Sequence, residues 1–595
     1  MTSGIVTAID SNLFYMQDPQ GDNDIGTSDA IVVFMGSVPG DLRVGDEVVV
    51  MGTVSEFTPG GTGTRNLSTT QIGSVTDLTI VSSGNSLPFP VIIGQGGRVP
   101  PSETFAIDDF VTYDPVHHGV DFFESLEAMR VTVPNPLAIA GTNRFGEIFV
   151  VANRGADATG LSERGTLNIA STDFNPERIQ IDADSGILDL PFPMVDVGAE
   201  LSDIIGVLSY NFGNFEVIPT SEFYVVSEST IEPVTVTRDD PFLFDGACNA
   251  SGKGKNANNG SKSRRELRNY GKGKKKQDDV FLYVATYNVL NLEPNDLDGD
   301  QDVALGRFKA TAEIIVGNTD CPDIIGLQEI QDNSGSDQDA VTSASATLQL
   351  LVDEISVASN GECNYQYLDN TFIGVDTSGG QPGGNIRTAF LYNPHQVSYV
   401  DGSLNPVVDP TDQQTNTENP FFDARLPLAA KFIFLATETV FEVINNHWSS
   451  KGGSAPIMGV EQPFDLRQED PDINGSLDER RDQSEAIRQY LIPKAQAGEN
   501  FIVMGDLNEF EFISAVQDLS VGTGLKNLAL DVPENERYSF IFQGNSQVLD
   551  HILVSTGLAK HGAYQKYIHV NSEFAETPER ASDHDPVAAW IPIKK

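Results

Sequence analysis

Between residues 280 and 595 one pattern repeats: a short apolar run, rich in β-branched and aromatic residues, that stops at a polar residue or pair. The runs are Val280-Phe-Leu-Tyr-Val-Ala-Thr, Ile324-Ile-Gly-Leu, Phe441-Glu-Val-Ile and Phe501-Ile-Val-Met. Runs of this length and composition read as strands buried on both faces. Between them, Leu305–Val316, Leu348–Ile355 and Asp478–Ile492 carry apolar residues at helical spacing. Strands alternating with helices predict a layered α/β domain.

The residues that end the runs carry chemistry. The segments are Thr286-Tyr-Asn288, Leu327-Gln-Glu329, Asn446-His-Trp448, Gly505-Asp-Leu-Asn508 and Ser582-Asp-His584. A carboxylate, amide or imidazole just past a buried strand sits on a rigid element and faces a common rim. Carboxylates, two Asn and two His gathered there fit metal-assisted phosphodiester cleavage.

In order and content these segments resemble the endonuclease/exonuclease/phosphatase superfamily, and within it the large bacterial secreted nucleases. The likeness is carried by Tyr287-Asn-Val-Leu-Asn-Leu292, His447-Trp-Ser-Ser-Lys-Gly452, Arg480-Arg-Asp-Gln-Ser-Glu-Ala486 opening a helix, and Ser582-Asp-His-Asp-Pro586. It spans residues 280–595 and implies a four-layer, deoxyribonuclease-like sandwich of two packed sheets flanked by helices, with the site at one edge.

The resemblance also implies roles. Glu329 would hold Mg²⁺, with Asp583 and Asn288 completing the metal cluster; Ca²⁺ or Mn²⁺ are the other candidate ions. An unpaired carboxylate at a buried strand end is costly, and a hard cation bound through oxygen removes that cost. His584 would act as general base or polarise the phosphate, with Asp550 fixing its tautomer. Asp506 and Asn508 stand two apart, so on an extended strand end both side chains point the same way. Asp506 would orient or deprotonate the attacking water, and Asn508 would bind a phosphate oxygen. His447 matches the residue that contacts the scissile phosphate or protonates the leaving oxygen. Pancreatic-type enzymes support that His with a Glu placed where this chain has Ile386, which leaves phosphate stabilisation as the safer role. Arg387 and Lys451 are candidate substrate-binding cations, and His551 reads as structural.

Upstream, residues 1–95 read as an all-β barrel. Gly4–Ile9, Leu13–Gln17, Ala30–Phe34 and Glu47–Val54 are strand-like runs separated by turn residues. The region resembles the OB-fold module that precedes many secreted nucleases, with the usual first strand missing, as in a mature or truncated chain. Residues 96–235 read as a second β-rich, OB-like unit, marked by Phe122–Val133 and Val197–Tyr210. OB-folds bind single strands through aromatic platforms and basic grooves. Phe14, Tyr15 and Phe57, with Arg43 and Arg65, are candidates for that task and equally for a barrel core. Residues 236–279 read as a flexible linker, because Ser251–Arg265 and Gly271–Lys276 are Gly-rich and basic. Its charge either holds nucleic acid near the site or only spaces the units. Asp296-Leu-Asp-Gly-Asp-Gln-Asp302 alternates carboxylates like a Ca²⁺ loop, but Gln301 replaces the loop's Gly and Arg307 its closing Glu. A solvated acidic turn is the simpler reading.

The formal net charge of −48 runs against contact with a polyanion. Either the surface is adapted to salty surroundings, the simpler reading, or divalent cations and the basic tract make up the difference. Among three cysteines, Cys321 and Cys363 each precede a strand-like run. They fit a disulfide in a secreted protein or two buried thiols, and no spacing suggests zinc. No stretch reaches the roughly 18 apolar residues that span a bilayer, and the N-terminus lacks signal-peptide features. The sequence thus predicts a secreted, monomeric, metal-dependent nuclease of low sequence preference acting on DNA, and on RNA as a second substrate. Its rivals are a sphingomyelinase-like or inositol-phosphate-hydrolysing relative, and a non-catalytic binding protein.

Overall fold

A computed structural model describes residues 1–106, 111–182, 186–188, 190–240, 279–462 and 465–594. The expected linker, apart from its two ends, lies outside the described residues, as does Cys248.

The first unit is a closed barrel of β1 (Thr2–Ile9), β2 (Leu13–Gln17), β3 (Ala30–Phe34), β4 (Glu47–Phe57) and β5 (Thr69–Ser82). The order around it is β1-β2-β3-β5-β4, and β1 closes it by pairing antiparallel with β4. The expectation of a missing first strand is therefore corrected, since Thr2–Ile9 fills the gap. Phe14 packs inside with Val6, Val33, Val48 and Ile72. Tyr15 points the other way, into a small core shared with Ala128, Val207 and Ile218 of the next unit. Both rings are spent on packing, and Phe57 alone of the three is exposed.

The second unit is not another barrel. Its strands form one nine-stranded sheet, from Val225–Ser227 at one edge to Val91–Ile92 at the other. The hairpin of Ile204–Asn211 and Asn214–Pro219 lies within it. The alternation read from Phe122–Val133 and Val197–Tyr210 is compatible with any half-buried sheet, which is why it did not discriminate.

The third unit holds two mixed sheets. Six strands follow the order Gln366–Leu368, Arg387–Tyr392, Ile324–Ile330, Asp279–Leu292, Val587–Lys594, Tyr564–Tyr567. The second sheet has seven strands, with Thr439–His447, Phe501–Asp506 and Asp550–Val554 adjacent. Leu282, Val284 and Ile324 of the first sheet pack on Phe432, Val443, Ile502 and Ile552 of the second. The other face of the six-stranded sheet is covered by the helices Arg307–Glu313 and Ser345–Ala358, through Phe308, Ala312, Leu348 and Leu351. The helix Leu477–Gln496 buries Leu477, Ile487 and Leu491 beside Ile444, Phe501 and Val503.

That last core continues into the second unit, where Val131, Leu208 and Phe215 join Trp448, Ile457 and Phe510. Backbone ties follow it: Asn168 bridges Ser546, and Asn66 of the barrel bridges Gly459. Arg65 spans from the barrel to the carbonyls of Gly453 and Asp472 and to Glu461. It is a docking residue. No helix among the described residues is long and apolar enough to cross a membrane.

Cys321 and Cys363 form a disulfide with Cα atoms 6.1 Å apart across a sequence separation of 42. Closing a loop of that length restrains the unfolded chain by about 4 kcal/mol on the chain-entropy account. The double variant Cys321→Ser/Cys363→Ser is expected to lower the urea midpoint and to steepen the slope as the unfolded chain expands, with wild type in reductant matching it. Coincident midpoints for oxidised wild type and the variant would show that the bond contributes nothing.

Candidate active site

Three neighbouring strands of the seven-stranded sheet end together. His447 lies opposite Asp506 across a parallel pair, and Asp506 opposite Asp550 across an antiparallel pair. In the facing sheet, the strands bearing Asn288 and Glu329 are also neighbours. The pairing of both strands slips here, between Asn288 and Leu292 and between Leu327 and Ile330. Glu329 is left-handed at φ 61°, and Leu290 and Asn291 follow suit at 53° and 51°. Irregularities of this kind re-aim side chains at sheet rims, at a cost in backbone strain of about 1–3 kcal/mol per residue.

The result is one compact cluster. Asn288 Nδ2 donates to Glu329 Oε1 at 3.0 Å and to Asp506 Oδ2 at 3.1 Å. His447 Nε2 lies 3.7 Å from Glu329 and 3.6 Å from Asp506. His584 Nδ1 meets Asp550 Oδ2 at 2.7 Å, and its Nε2 stands 3.8 Å from Asp506 Oδ2. The Ser-Asp-His turn is pinned by Ser582, whose hydroxyl donates to the Asn288 carbonyl at 2.7 Å and accepts from His584 N–H at 3.1 Å. Phe540 covers the His584 ring, with centroids 4.8 Å apart.

Asp506 and Asn508 reach this cluster by a different route from the extended one expected. The strand stops at Asp506, Asn508 turns left-handed at φ 49°, and its N–H returns to Asp506 Oδ1 at 2.8 Å. The turn brings Asn508 Nδ2 to 3.4 Å from Asp506 Oδ2 and 3.1 Å from the Trp448 carbonyl.

Burial sets the electrostatics. It raises the Glu329 carboxyl, with the negative charge of Asp583 adding to the rise. It also pushes Asp506 up to about 7. His584 is held well above its ordinary value by Asp550 and Asp506 against the opposing effect of burial. His447 falls well below its ordinary value through burial, then through the cations Arg425 and His584. The two imidazoles are thus driven in opposite directions, His584 toward its charged form and His447 toward its neutral one.

Buried acceptors are left over. Asp583 Oδ1 and Asp550 Oδ1 have no hydrogen-bond partner, and neither does His447 Nδ1. Ile386, which occupies the sequence position of the supporting Glu in the resemblance, is itself buried. Glu329, His447 and Asp506 each present an atom within 4.8 Å of the others, as do Asp506, Asp550 and His584. Crowded carboxylate oxygens with an orphaned acceptor and an amide oxygen suit a hard divalent cation, so the residues present fit the metal expected of them.

The two candidate cations diverge. Arg387 is fully buried and bonded to the carbonyls of Asn385 and Thr342 and to Asp369. It is committed to the fold, and the substrate-binding expectation for it is corrected. Lys451 lines the same cavity as Asp583 and His584. Its ammonium bonds Glu509 at 2.7 Å, sits 4.1 Å from the Phe510 ring, and is lowered by burial to about 8. Arg425 was not foreseen: it is buried, donates to the Trp448 carbonyl, and faces Glu329 and Asp506. A lone Arg between aromatic and proline-rich segments carries no sequence signal for such a place. His551 is structural, with Nε2 2.9 Å from the Glu509 carbonyl. In the acidic turn Asp302 is buried and paired with Arg307, while Asp296 accepts from Val303 and Ala304 N–H.

Two packed mixed sheets thus bring strand ends carrying carboxylates, amides and two imidazoles to one rim. The model of the Endonuclease/Exonuclease/phosphatase family matches residues 285–584, and the chain belongs to that family. Residues 92–230 match a domain of unknown function, DUF8508. No curated protein matches the chain. Solved structures similar to it include an endonuclease/exonuclease/phosphatase from Bacteroides vulgatus, at 16% identity and TM-score 0.34, covering 53% of this chain and 100% of that one. The human nocturnin catalytic domain with bound sulfate is 15% identical, at TM-score 0.34, over 53% of this chain and 95% of that one. A mannosyl-6-phosphatase from Bacteroides thetaiotaomicron is 18% identical, at TM-score 0.32, over 52% and 99%.

Asp550 is the anion that lifts His584, so Asp550→Asn in metal-free protein is expected to bring the His584 titration midpoint down. Imidazole carbon-bound proton shifts measured against pH read this directly. An unmoved midpoint would remove Asp550 as its partner.

Proposed function

We propose that this protein is a secreted, monomeric, metal-dependent nuclease that hydrolyses phosphodiester bonds of DNA, and also of RNA, with little sequence preference. The observation that carries this is the line Asp550–His584–Asp506, with a 2.7 Å contact on one side of the imidazole and a 3.8 Å gap on the other. A gap too long for a direct hydrogen bond lets both groups reach one small molecule between them. Glu329, Asp583 and Asn288 would hold Mg²⁺, or Ca²⁺ or Mn²⁺, which supplies charge neutralisation at the phosphate.

The chain's own groups divide the remaining work. Asp550 holds the proton on His584 Nδ1 and leaves Nε2 facing Asp506. Asp506 and His584 together orient the attacking water, and the Asp506 carboxylate takes its proton. Asn508 offers its amide to a phosphate oxygen, and the neutral His447 contacts the same phosphate without repelling the cation. Lys451 adds positive charge at the cavity edge. Attack in line then gives a 3′-hydroxyl and a 5′-phosphate. The disulfide supports an oxidising compartment, the closed five-strand order supports an OB-type barrel, and two sheets with helical covers support the four-layer sandwich.

Supercoiled plasmid and linear single strands, incubated with Mg²⁺ plus Ca²⁺ or with EDTA, test the assignment. Metal-dependent nicking is expected, falling by about 10²- to 10⁴-fold in His584→Ala, the usual range for a general acid–base group. Glu329→Gln is expected to abolish Mn²⁺ binding by calorimetry together with activity. Plasmid and single strands left intact with every divalent ion, while phosphatidylcholine or sugar phosphates are hydrolysed, would overturn the nuclease reading.

A further inference from the structure

The catalytic cluster does not open onto plain surface. It opens into a cavity of about 580 Å³ whose far walls come from the other two units. Asp583, His584 and Asn508 line it together with Phe212, Phe540 and Phe542. Phe212 is 72% exposed and Phe542 49% exposed. A single exposed ring is ordinary on a protein surface; what sets these two apart is that both line the cavity that also holds Asp583 and His584.

Both rings ride on hairpin turns, and each turn is docked on the opposite unit. Phe212 is left-handed at φ 43° in the turn that joins two strands of the second unit. Gly213 accepts a hydrogen bond from Met458 N–H at 2.9 Å, and a Cβ on Gly213 would stand 2.6 Å from Pro456. Phe542 belongs to the catalytic unit's hairpin of Phe540–Phe542 and Asn545–Gln547. Arg178 of the second unit donates to the Gln543 carbonyl at 3.2 Å, and Asn175 to Asn545 at 2.8 Å. A Cβ on Gly544 would stand 2.8 Å from Phe149. The exchange of turns fixes both rings at the cavity while leaving their faces open.

We propose that this groove is a base-binding subsite: Phe212 and Phe542 stack unpaired nucleobases of a single strand whose phosphate lies at Asp583 and His584. The inference rests on the nuclease reading above and narrows its substrate class to unpaired segments. A polar, metal-fitted end continuous with aromatic faces matches a nucleotide chain, which alternates charged diesters with flat rings. Aromatic stacking tolerates any base, in keeping with low sequence preference. The N-terminal units thereby become part of the substrate site.

Binding in EDTA separates this from catalysis. Fluorescence anisotropy compares a labelled oligothymidylate with a strand of equal length lacking bases, against the full chain. Wild type is expected to bind the base-bearing strand at least about tenfold more tightly. Phe212→Ala and Phe542→Ala should each shrink that ratio at unchanged melting temperature, and Phe212→Tyr should keep it. Equal affinity for both strands, or a ratio untouched in both Ala variants, would overturn the subsite. So would displacement of the strand from wild type by phosphatidylcholine micelles, which would assign the groove to acyl chains. Base-dependent binding without cleavage once metal is restored would leave the subsite standing and remove the nuclease reading alone.

Discussion

A polar clamp buried between the two sheets of the catalytic unit sets the distance on which everything at the rim depends. Gln328 Nε2 donates to Asn445 Oδ1 at 2.6 Å and to Thr286 Oγ1 at 3.0 Å. Asn445 Nδ2 in turn donates to the carbonyls of Leu327 and Ala389 at 2.9 and 2.8 Å. All three side chains are fully buried. Each clamp residue stands one or two positions before a rim residue: Thr286 before Asn288, Gln328 before Glu329, Asn445 before His447. A buried donor left without its acceptor costs about 1–3 kcal/mol, so sliding either sheet forfeits several such bonds at once. Gly326 allows the approach, since a Cβ there would stand 2.9 Å from Met504 and 3.1 Å from Asn445. Apolar packing alone would hold the sheets together without fixing their register.

With register fixed, the rim gathers more negative charge than its own cations balance. Glu329, Asp506, Asp550 and Asp583 face Arg425 and a protonated His584, while His447 stays neutral. The nearby floor is settled separately: Glu509 is pulled down by Lys451 and Arg480, and the three form a buried network with Asn474. Two cations share one carboxylate there, so the network braces the loop from Lys451 to Pro456 and keeps one positive charge in surplus beside the rim. The rim's own negative excess stays where a divalent cation fits.

How legible this was depended on whether a residue's place follows from its own strand. Glu329, Asp506 and His447 end apolar runs, and strand pairing brings such ends together whatever the loops do. The α/β layering and the helix at Asp478–Ile492 follow from periodicity for the same reason. Arg387 misled because a charge in sequence does not show which way its side chain turns: it goes inward to the carbonyls of Asn385 and Thr342. Arg425 was invisible because its place is set by Trp448, a residue distant in sequence. The left-handed turns at Glu329 and Asn508 have no glycine to announce them. The second unit's sheet was mistaken for a barrel because closure depends on which edges pair, and alternation along a strand says nothing of that.

The overall charge and the aromatic groove bear on one another. At −48, the chain repels a polyanion at long range, and that repulsion fades within about 8 Å at physiological salt. What the surface cannot supply through phosphate neutralisation has to come from contacts that survive screening. On the proposed reading two kinds meet at this site: a divalent cation at the rim carboxylates, and phenylalanine faces stacked on bases. The first would act on the diester to be cut and the second on its neighbours. Stacking does not weaken as salt rises in the way a lysine-lined groove does. A chain built this way gives up electrostatic capture at a distance and keeps recognition at contact, which would place that recognition in Phe212 and Phe542, on either side of the junction between units.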